Sequence, residues 1–399
     1  MFDQWGRSTG IAFSRRTVLR TTAIAGMTIG GITVGTNGAA ATTTVSGGGD
    51  ALQDAIDSAS DGETLVVTDS ATYDPITIDK SLTVETAEDA DPTIEGDGGI
   101  STAVSIEADE VTLDGFTVTN PDGLLGVKVQ QGYDDATIRN NTVDDIGPTG
   151  RLGVTGIIVG QGDHEDIEIT NNTIQNLDQE TTDGSGFPTV NGILFDADNS
   201  DPGTVSDTVV NNNTIRNVES DVAPLGIVVQ HETENVDINN NEIRDLVAAD
   251  DTDSDESDGV DFGFTFAQGI NIASPSTSET TVAHNVIEDI TSAETILPEA
   301  VKIDGDGGGV TFRANQFLVA VGLNNRNGTD GGSRDPSDDP EVDARNNWWG
   351  SPEGPEEAEF NQDADDDDRS DVVGNVVYEP FLRTAPGKSG GNNGNGNGN

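Results

Sequence analysis

The stretch "VVNNNTIRNVESDVAPLGIVV" (209–229) contains the two short elements that decide the fold. The first is "VNNNTI" (210–215), in which asparagines precede an alternating apolar segment. The second is "GIVV" (226–229). Apolar and polar residues alternate with a period of two in such segments, which predicts β-strands with one buried face.

Both elements recur along the chain. The first returns as "LDGFTV" (113–118), "IRNNTV" (138–143), "ITNNTI" (169–174), "INNNEI" (238–243), "VAHNVI" (282–287), "FRANQF" (312–317) and "ARNNWW" (344–349). The second returns as "VSI" (104–106), "GVKV" (126–129), "GIIV" (156–159), "GILF" (192–195), "GINI" (269–272) and "AVKI" (300–303). Short strands, asparagine-rich turns and no helical periodicity predict a solenoid whose coils stack about 4.8 Å apart.

Over residues 50–383 the sequence resembles the right-handed parallel β-helix superfamily, which includes pectate lyases and polygalacturonases. The resemblance implies an all-β, single-domain, right-handed parallel β-helix over residues 61–350, with about 8–9 coils. "DALQDAIDSAS" (50–60) predicts an N-terminal helix, with Asp50 and Gln53 as a capping box, inside a cap over residues 42–60.

The C-terminal part contains "NNWWGSPEGP" and a later "YEPFL", which resemble a terminal module of secreted β-helix proteins. We expect residues 351–385 to close the solenoid and residues 386–399, rich in Gly and Asn, to form a disordered tail. Strand alternation places Trp349 inside the last coil. Trp348 faces outward, where it either stacks against a sugar or is covered by the returning "YEPFL" strand.

The column Asn140, Asn171, Asn212, Asn240, His284, Ala314 and Asn346 is predicted to point inward and form an asparagine ladder. Three of these residues also begin Asn-X-Thr glycosylation sequons, at 140–142, 171–173 and 212–214. The ladder is the preferred interpretation for those three. Asn327, in a predicted loop, is the glycosylation candidate.

The N-terminus carries "SRRTVLR" (14–20), a short apolar core and "GAAATTT", which match a twin-arginine signal peptide over residues 1–41. We therefore expect a secreted protein that passes through the twin-arginine export machinery, with no transmembrane segment in the mature chain. The chain contains no cysteine, so no disulfide framework is expected.

The chain has 73 acidic and 18 basic residues and a formal net charge of −55. This charge excludes nucleic acid as a partner. Acid-rich, lysine-poor chains of this kind resemble proteins of extreme halophiles, in which molar salt screens the repulsion.

Variable loops leave one edge of the predicted solenoid, and a polar column follows the Gly-Ile strands. Asp196 and His231 lie on neighbouring coils of that column and are the candidate acid and base, with Asp304 as a third candidate catalytic residue further along. Gln230, Phe264 and Trp348 are candidate substrate contacts. "DADDDDRSD" (363–371) spaces Asp363, Asp365, Asp367 and Asp371 as candidate calcium ligands, although glycine and glutamate are missing from the positions where such a loop needs them.

Catalytic motifs of the related lyases and hydrolases are absent, and no cofactor other than calcium is expected. Two hypotheses remain. The first is a non-catalytic surface protein that binds a polysaccharide or cell-surface glycan, or forms a rigid rod. The second is a carbohydrate-active enzyme, a polysaccharide lyase or glycoside hydrolase, acting in the loop-lined groove.

Overall fold

The computed structural model describes residues 41–148, 153–179, 189–197, 202–248, 265–292, 297–325, 340–358 and 369–386. One helix, α1 (Ala51–Ser58), lies among short strands. Within these residues, no helix has the length and apolar character needed to cross a membrane.

The strands are short throughout. The first are β1 (Thr42–Val45), β2 (Thr64–Val67), β3 (Thr72–Tyr73), β4 (Ile76–Ile78), β5 (Thr83–Thr86), β6 (Thr93–Glu95), β7 (Gly99–Ile106), β8 (Thr112–Asp114), β9 (Thr117–Pro121), β10 (Gly123–Val129), β11 (Thr137–Arg139), β12 (Thr142–Gly147), β13 (Val154–Val159), β14 (His164–Glu165), β15 (Glu168–Thr170), β16 (Thr173–Gln179) and β17 (Thr189–Phe195). The remainder are β18 (Thr204–Ser206), β19 (Val209–Asn211), β20 (Thr214–Ser220), β21 (Ala223–Val229), β22 (Glu232–Glu234), β23 (Asp237–Asn239), β24 (Glu242–Ala248), β25 (Gln268–Ile272), β26 (Thr277–Ser278), β27 (Thr280–Ala283), β28 (Val286–Glu288), β29 (Ile290–Ser292), β30 (Glu299–Ile303), β31 (Val310–Arg313), β32 (Gln316–Leu318), β33 (Val321–Asn325), β34 (Val342–Asp343), β35 (Glu357–Ala358), β36 (Asp371–Gly374) and β37 (Val376–Val377).

The strands form four sheets, in which the paired strands run parallel. Sheet I has 12 strands, in the order β1, β2, β5, β8, β11, β15, β19, β23, β27, β31, β34 and β37. Sheet II has 11, in the order β4, β7, β10, β13, β17, β21, β25, β30, β33, β36 and β35. Sheet III has 10, in the order β3, β6, β9, β12, β16, β20, β24, β28 and β32, with β29 also paired to β24, and sheet IV has 4, in the order β14, β18, β22 and β26.

One coil therefore passes through sheets I, III, II and IV before it returns to sheet I, as β19, β20, β21, β22 and β23 do. This is a parallel β-helix, as the repeat predicted. The sheets extend beyond the asparagine-bearing repeats at both ends, since β1, β2 and β5 precede the first repeat and β37 follows the last.

The core is built from inward columns of aliphatic residues. In sheet III the column runs through Val143, Ile174, Ile215, Ile243, Ile287 and Phe317 to Trp349, each of them fully buried. Complete burial of such a side chain contributes about 1.5–3 kcal/mol, so each coil is stabilised by its contacts with the next. The predicted place of Trp349 in the core is confirmed. Its ring centroid lies 4.9 Å from that of Phe317.

The asparagine ladder lies one residue later than predicted. Asn140, Asn171, Asn212, Asn240, His284, Ala314 and Asn346 all have positive φ, between 54° and 61°. That left-handed conformation turns the chain at the corner between sheets I and III, which breaks the alternation and directs these side chains away from the core. The ladder is formed instead by the buried Asn141, Asn172, Asn213, Asn241, Asn285, Asn315 and Asn347.

Each ladder amide joins consecutive coils. Asn213 Oδ1 accepts hydrogen bonds from the backbone nitrogen and the side-chain amide of Asn172, both at 3.0 Å. Asn213 Nδ2 donates to the carbonyl oxygen of Ile169 at 2.8 Å. Turn groups that would be buried without partners are satisfied in this way.

Helix α1 covers the N-terminal end of the core with Leu52 and Ile56, as predicted. The predicted capping box is wrong, because Asp50 makes no side-chain capping bond. Gln53 Oε1 instead accepts a hydrogen bond from the backbone nitrogen of Thr77 at 2.7 Å and ties the helix to β4. Lys80 Nζ donates to the Ile56 carbonyl oxygen at 2.8 Å, near the helix C-terminus.

Candidate functional site

The outer face of sheet II is polar at Ser105 and Lys128, apolar in the next three coils and polar again further along the solenoid. One outward column carries, in β13, β17 and β21, the residues Ile158, Leu194 and Val228. In β25, β30 and β33 the same column continues as Asn271, Lys302 and Asn324. A second outward column places Gln268 beside Glu299. We call Gln268, Asn271, Glu299, Lys302, Asn324 and Asp304 the sheet II polar cluster.

Hydrogen bonds connect the cluster. Glu299 Oε2 accepts from Gln268 Nε2 at 2.8 Å, and Glu299 Oε1 accepts from Asn324 Nδ2 at 2.6 Å. Gln268 Oε1 accepts from Asn271 Nδ2 at 2.7 Å. Glu299 is only 3 % exposed, and a buried carboxylate is tolerated only with such partners.

The cluster opens to solvent at one end. Asn271 Nδ2 also donates to Asp304 Oδ2 at 3.0 Å, and Lys302 Nζ lies 3.3 Å from Asp304 Oδ1. The Lys302 side chain is 9 % exposed, whereas that of Asp304 is 37 % exposed. A continuous polar path therefore runs from buried Glu299 to the surface at Asp304.

Two acceptor atoms in the cluster have no donor. Asn271 Oδ1 and Asn324 Oδ1 are buried without a hydrogen-bond partner among the described residues, and their strands flank Lys302. An unsatisfied buried acceptor costs about 1–3 kcal/mol.

A family model described as "Right handed beta helix region" matches residues 98–317. The chain belongs to the right-handed β-helix family. No curated protein matches this β-helix in sequence.

Two solved structures resemble this β-helix. An alginate lyase from Paenibacillus sp. str. FPU-7 is 15% identical over 68% of this chain and 94% of the lyase chain, with a TM-score of 0.39. A tailspike protein of E. coli bacteriophage HK620 is 12% identical over 84% of this chain and 62% of the tailspike, with a TM-score of 0.36. The match therefore spans less than two thirds of the tailspike chain.

The predicted catalytic residues do not converge in this β-helix. Asp304 lies in the sheet II polar cluster. Asp196 follows β17, three strands away in the sheet order β17, β21, β25 and β30. At about 4.8 Å per strand the two carboxylates are roughly 14 Å apart along the sheet. Gln230, the candidate substrate contact between them, accepts a hydrogen bond from the backbone nitrogen of Ala197 at 3.3 Å.

His231 does not lie on the outer surface, and its expected place in the groove beside Asp196 is wrong. The side chain is fully buried at the corner formed by sheet IV, because the turn after β21 directs it inward. Its ring centroid lies 5.8 Å from that of His164, in a T-shaped contact. His164 is itself held by the carbonyl oxygens of Tyr133 at 2.8 Å and Gly160 at 2.9 Å.

Burial, followed by the neighbouring His164, lowers the pKa of His231 to about 4, although nearby backbone of Phe195, Gly162 and Gly160 partly offsets the shift. Neither ring nitrogen of His231 has a hydrogen bond of good geometry within the described part of the chain. A neutral, buried imidazole at this corner packs the coil and is not placed to exchange protons with a bound ligand.

Trp348 is partly exposed at the edge of sheet III, where it bridges to Gln316. The C-terminal segment runs beside it, because Leu382 N donates to the Asn347 carbonyl oxygen at 2.9 Å and Gln316 Nε2 donates to that of Pro386 at 3.0 Å. The "YEPFL" segment thus pairs with the last coil. This pairing is what the alternative in which that segment covers Trp348 required. A role for Trp348 in stacking a sugar stays a prediction.

The remaining candidates cannot be placed. Phe264, Asp363, Asp365, Asp367 and Asn327 lie outside the described residues. Asp371 lies in β36 and is 4 % exposed, with its backbone nitrogen 2.9 Å from the Ala320 carbonyl oxygen. Among the described residues, no three His, Asp or Glu side chains are grouped as metal ligands. The calcium loop therefore stays a prediction.

Sequence reasoning missed most of the sheet II polar cluster. Gln268, Asn271, Glu299 and Asn324 stand at outward strand positions where preceding coils carry Leu225, Ile158, Leu194 or Val228. Comparing each outward column along the repeat, rather than only the residues after each strand, would have found them.

Proposed function

We propose that this β-helix is an exported protein that binds a polysaccharide on the outer face of sheet II, at the polar cluster around Lys302. The observation that carries the proposal is the hydrogen-bonded set of amides and carboxylates beside Lys302, which opens to solvent at Asp304. Amides and carboxylates held in fixed positions suit a ligand rich in hydroxyl groups, since a hydroxyl both donates and accepts.

The composition supports a role for Lys302. The chain has only four lysines among its 399 residues, and this one is almost fully buried beside Asp304. Burying an ammonium group is costly unless it is paired. Its ion pair with Asp304 holds the ammonium group on the outer face of sheet II, beside the amides of the cluster.

Salt sets the conditions in which binding should occur. A net charge of −55 repels an anionic polymer at low ionic strength. The Debye length falls to about 3 Å at molar salt, where only close contacts remain. Export by the twin-arginine route and adaptation to high salt belong to this proposal, on the strength of the N-terminal motif and the charge.

The test measures binding of neutral polysaccharides (xylan, dextran) and uronate polysaccharides (alginate, polygalacturonate) at molar salt. Asn271→Ala and Asn324→Ala should each weaken binding by roughly three- to tenfold, the loss of one or two hydrogen bonds. Asn239→Ala is the matched control, because Asn239 Oδ1 is also buried without a partner but lies in sheet I. Equal affinities for all four proteins, or no binding by any, would reject the site.

Catalysis is the second candidate, and the paired ionisable groups in the cluster favour it. Lys302, Asp304 and Glu299 are connected through Asn271 and Gln268, so a bound sugar would meet both an ammonium and a carboxylate. A polysaccharide lyase or glycoside hydrolase would release shortened products from the polymer that binds. Product release abolished by Lys302→Gln or Asp304→Asn, with binding retained, would establish the enzyme; an intact polymer after long incubation would leave binding as the function.

A further inference from the structure

The one-residue shift of the asparagine ladder changes the meaning of the glycosylation sequons. In each Asn-Asn-Thr motif the middle asparagine belongs to the ladder and is buried. The first asparagine, at 140, 171 or 212, has positive φ and is exposed at the corner between sheets I and III. A ladder and an accessible acceptor amide are therefore compatible in one motif.

The hydroxyl residue of each sequon is also accessible in part. Thr142, Thr173 and Thr214 begin strands of sheet III on its outer face and are partly exposed. The acceptor asparagine and the threonine thus both lie outside the coil, with the ladder residue between them inside.

The acceptor amides differ in how they are engaged. Asn140 Nδ2 donates to Asp114 Oδ1 at 2.7 Å. The side chains of Asn171 and Asn212 are exposed and make no hydrogen bond to any other described residue. Two of the three sequons therefore present an amide that is free to react.

We propose that Asn171 and Asn212 are N-glycosylation sites of this protein. Their Nδ2 atom attacks the anomeric carbon of an oligosaccharide carried on a polyprenyl phosphate, which the cell supplies together with its transferase. A bond forms between Nδ2 and the anomeric carbon, the bond from that carbon to the phosphate oxygen breaks, and the polyprenyl phosphate leaves. The amide proton passes to a base of the transferase.

The proposal rests on the export included in the proposed function. A chain exported in the folded state offers only its surface to a transferase outside the membrane. The ladder asparagines are then excluded as acceptors, and the left-handed corner residues are the ones presented. A glycan at this corner lies on the side of sheets I and III, away from the outer face of sheet II.

The chain contains a matched control. Asn240 occupies the same corner position on the next coil after Asn212, with φ of 57°, but Glu242 replaces the sequon threonine. Mass spectrometry of peptides from the protein secreted by its own source should find glycans on Asn171 and Asn212 and none on Asn140 or Asn240. Thr173→Val and Thr214→Val should each remove the glycan from the preceding site. Glu242→Thr should add none at Asn240, because Asn240 Nδ2 is held by Asn211 Oδ1 at 3.0 Å, as Asn140 Nδ2 is held by Asp114.

Two failures are distinguishable in the same samples. Secreted protein that has lost residues 1–41 but carries no glycan at Asn171 or Asn212 would overturn the modification and leave export intact. Protein retained in the cell with its N-terminal segment would instead overturn export. A glycan that persists in the Thr173→Val and Thr214→Val proteins would show that the sequon geometry is not what selects the sites.

Discussion

Replacing Asn213 by alanine removes one rung of the ladder without touching the surface. The Asn213 amide makes hydrogen bonds with Asn172 N and Nδ2, with the Ile169 carbonyl oxygen and with Asn241 Oδ1. The truncation leaves the buried backbone N–H of Asn172 without an acceptor, at about 1–3 kcal/mol, and adds the loss of the other bonds. We expect the free energy of unfolding to fall by about 3–5 kcal/mol.

The assay is urea unfolding at molar salt, followed by circular dichroism and by tryptophan fluorescence. Circular dichroism reports the whole solenoid, and Trp348 and Trp349 report the last coil, so agreement of the two transitions shows whether unfolding is cooperative. The control is Asn212→Gly, since glycine adopts positive φ freely and the Asn212 side chain lies outside. Its cost should stay within about 1 kcal/mol. A loss for Asn212→Gly equal to that for Asn213→Ala would refute the ladder register.

Three further predictions concern packing and charge. The pKa of His231 is about 4 in the folded state and 6.5 when unperturbed, so between these values the unfolded chain binds more protons, and stability falls as the pH drops from 6.5 towards 4. In urea unfolding over that range, the free energy of unfolding of His231→Leu should rise by about 3 kcal/mol relative to that of the wild type. A difference between the two proteins that does not change with pH would contradict the buried neutral imidazole. Burial, then Asp135, Asp207 and Asp134, raises the pKa of Asp166. Asp166→Asn should therefore raise the melting temperature, and by less at molar salt than at low salt, because salt screens the repulsion between the carboxylates but not the cost of burial. Equal effects at both salt concentrations would contradict the contribution of the neighbouring carboxylates. A Cβ on Gly322 would lie 2.8 Å from ring carbons of Trp349. Gly322→Ala should therefore lower the free energy of unfolding by about 1–3 kcal/mol and red-shift the tryptophan fluorescence. An unchanged emission spectrum would contradict the packing of the ring.

The fold could be predicted from the sequence because the signal repeats. Strand alternation along "IRNNTV" and its relatives identifies the inward columns, and the buried aliphatic column that ends at Trp349 agrees with it. The ladder was misplaced because the period of two was carried through a corner where the backbone turns left-handed. The corrected column was visible in the sequence, since it is asparagine in every coil from Asn141 to Asn347, whereas the predicted column contains His284 and Ala314.

The candidate site was less predictable, for reasons of local geometry. His231 follows a turn, and whether a side chain after a turn points inward depends on dihedral angles that the residue types do not determine. Glu299 and Asn271 lie within strands rather than after them, so only a comparison of each outward column with the apolar residues of the preceding coils marks them as unusual. Of the predicted catalytic residues, Asp304 lies in the cluster, and its carboxylate marks the solvent-exposed end.

The outer face of sheet II is the proposed polysaccharide-binding surface. The most direct measurement is photo-crosslinking at molar salt with whichever of xylan, dextran, alginate or polygalacturonate binds, derivatised with a diazirine, followed by peptide mapping. Crosslinks are expected in β25, β30 and β33, around Asn271, Lys302 and Asn324, and excess underivatised polymer should suppress them. Crosslinks confined to the outer faces of sheets I and III, or to the Trp348 edge, would contradict binding at this surface.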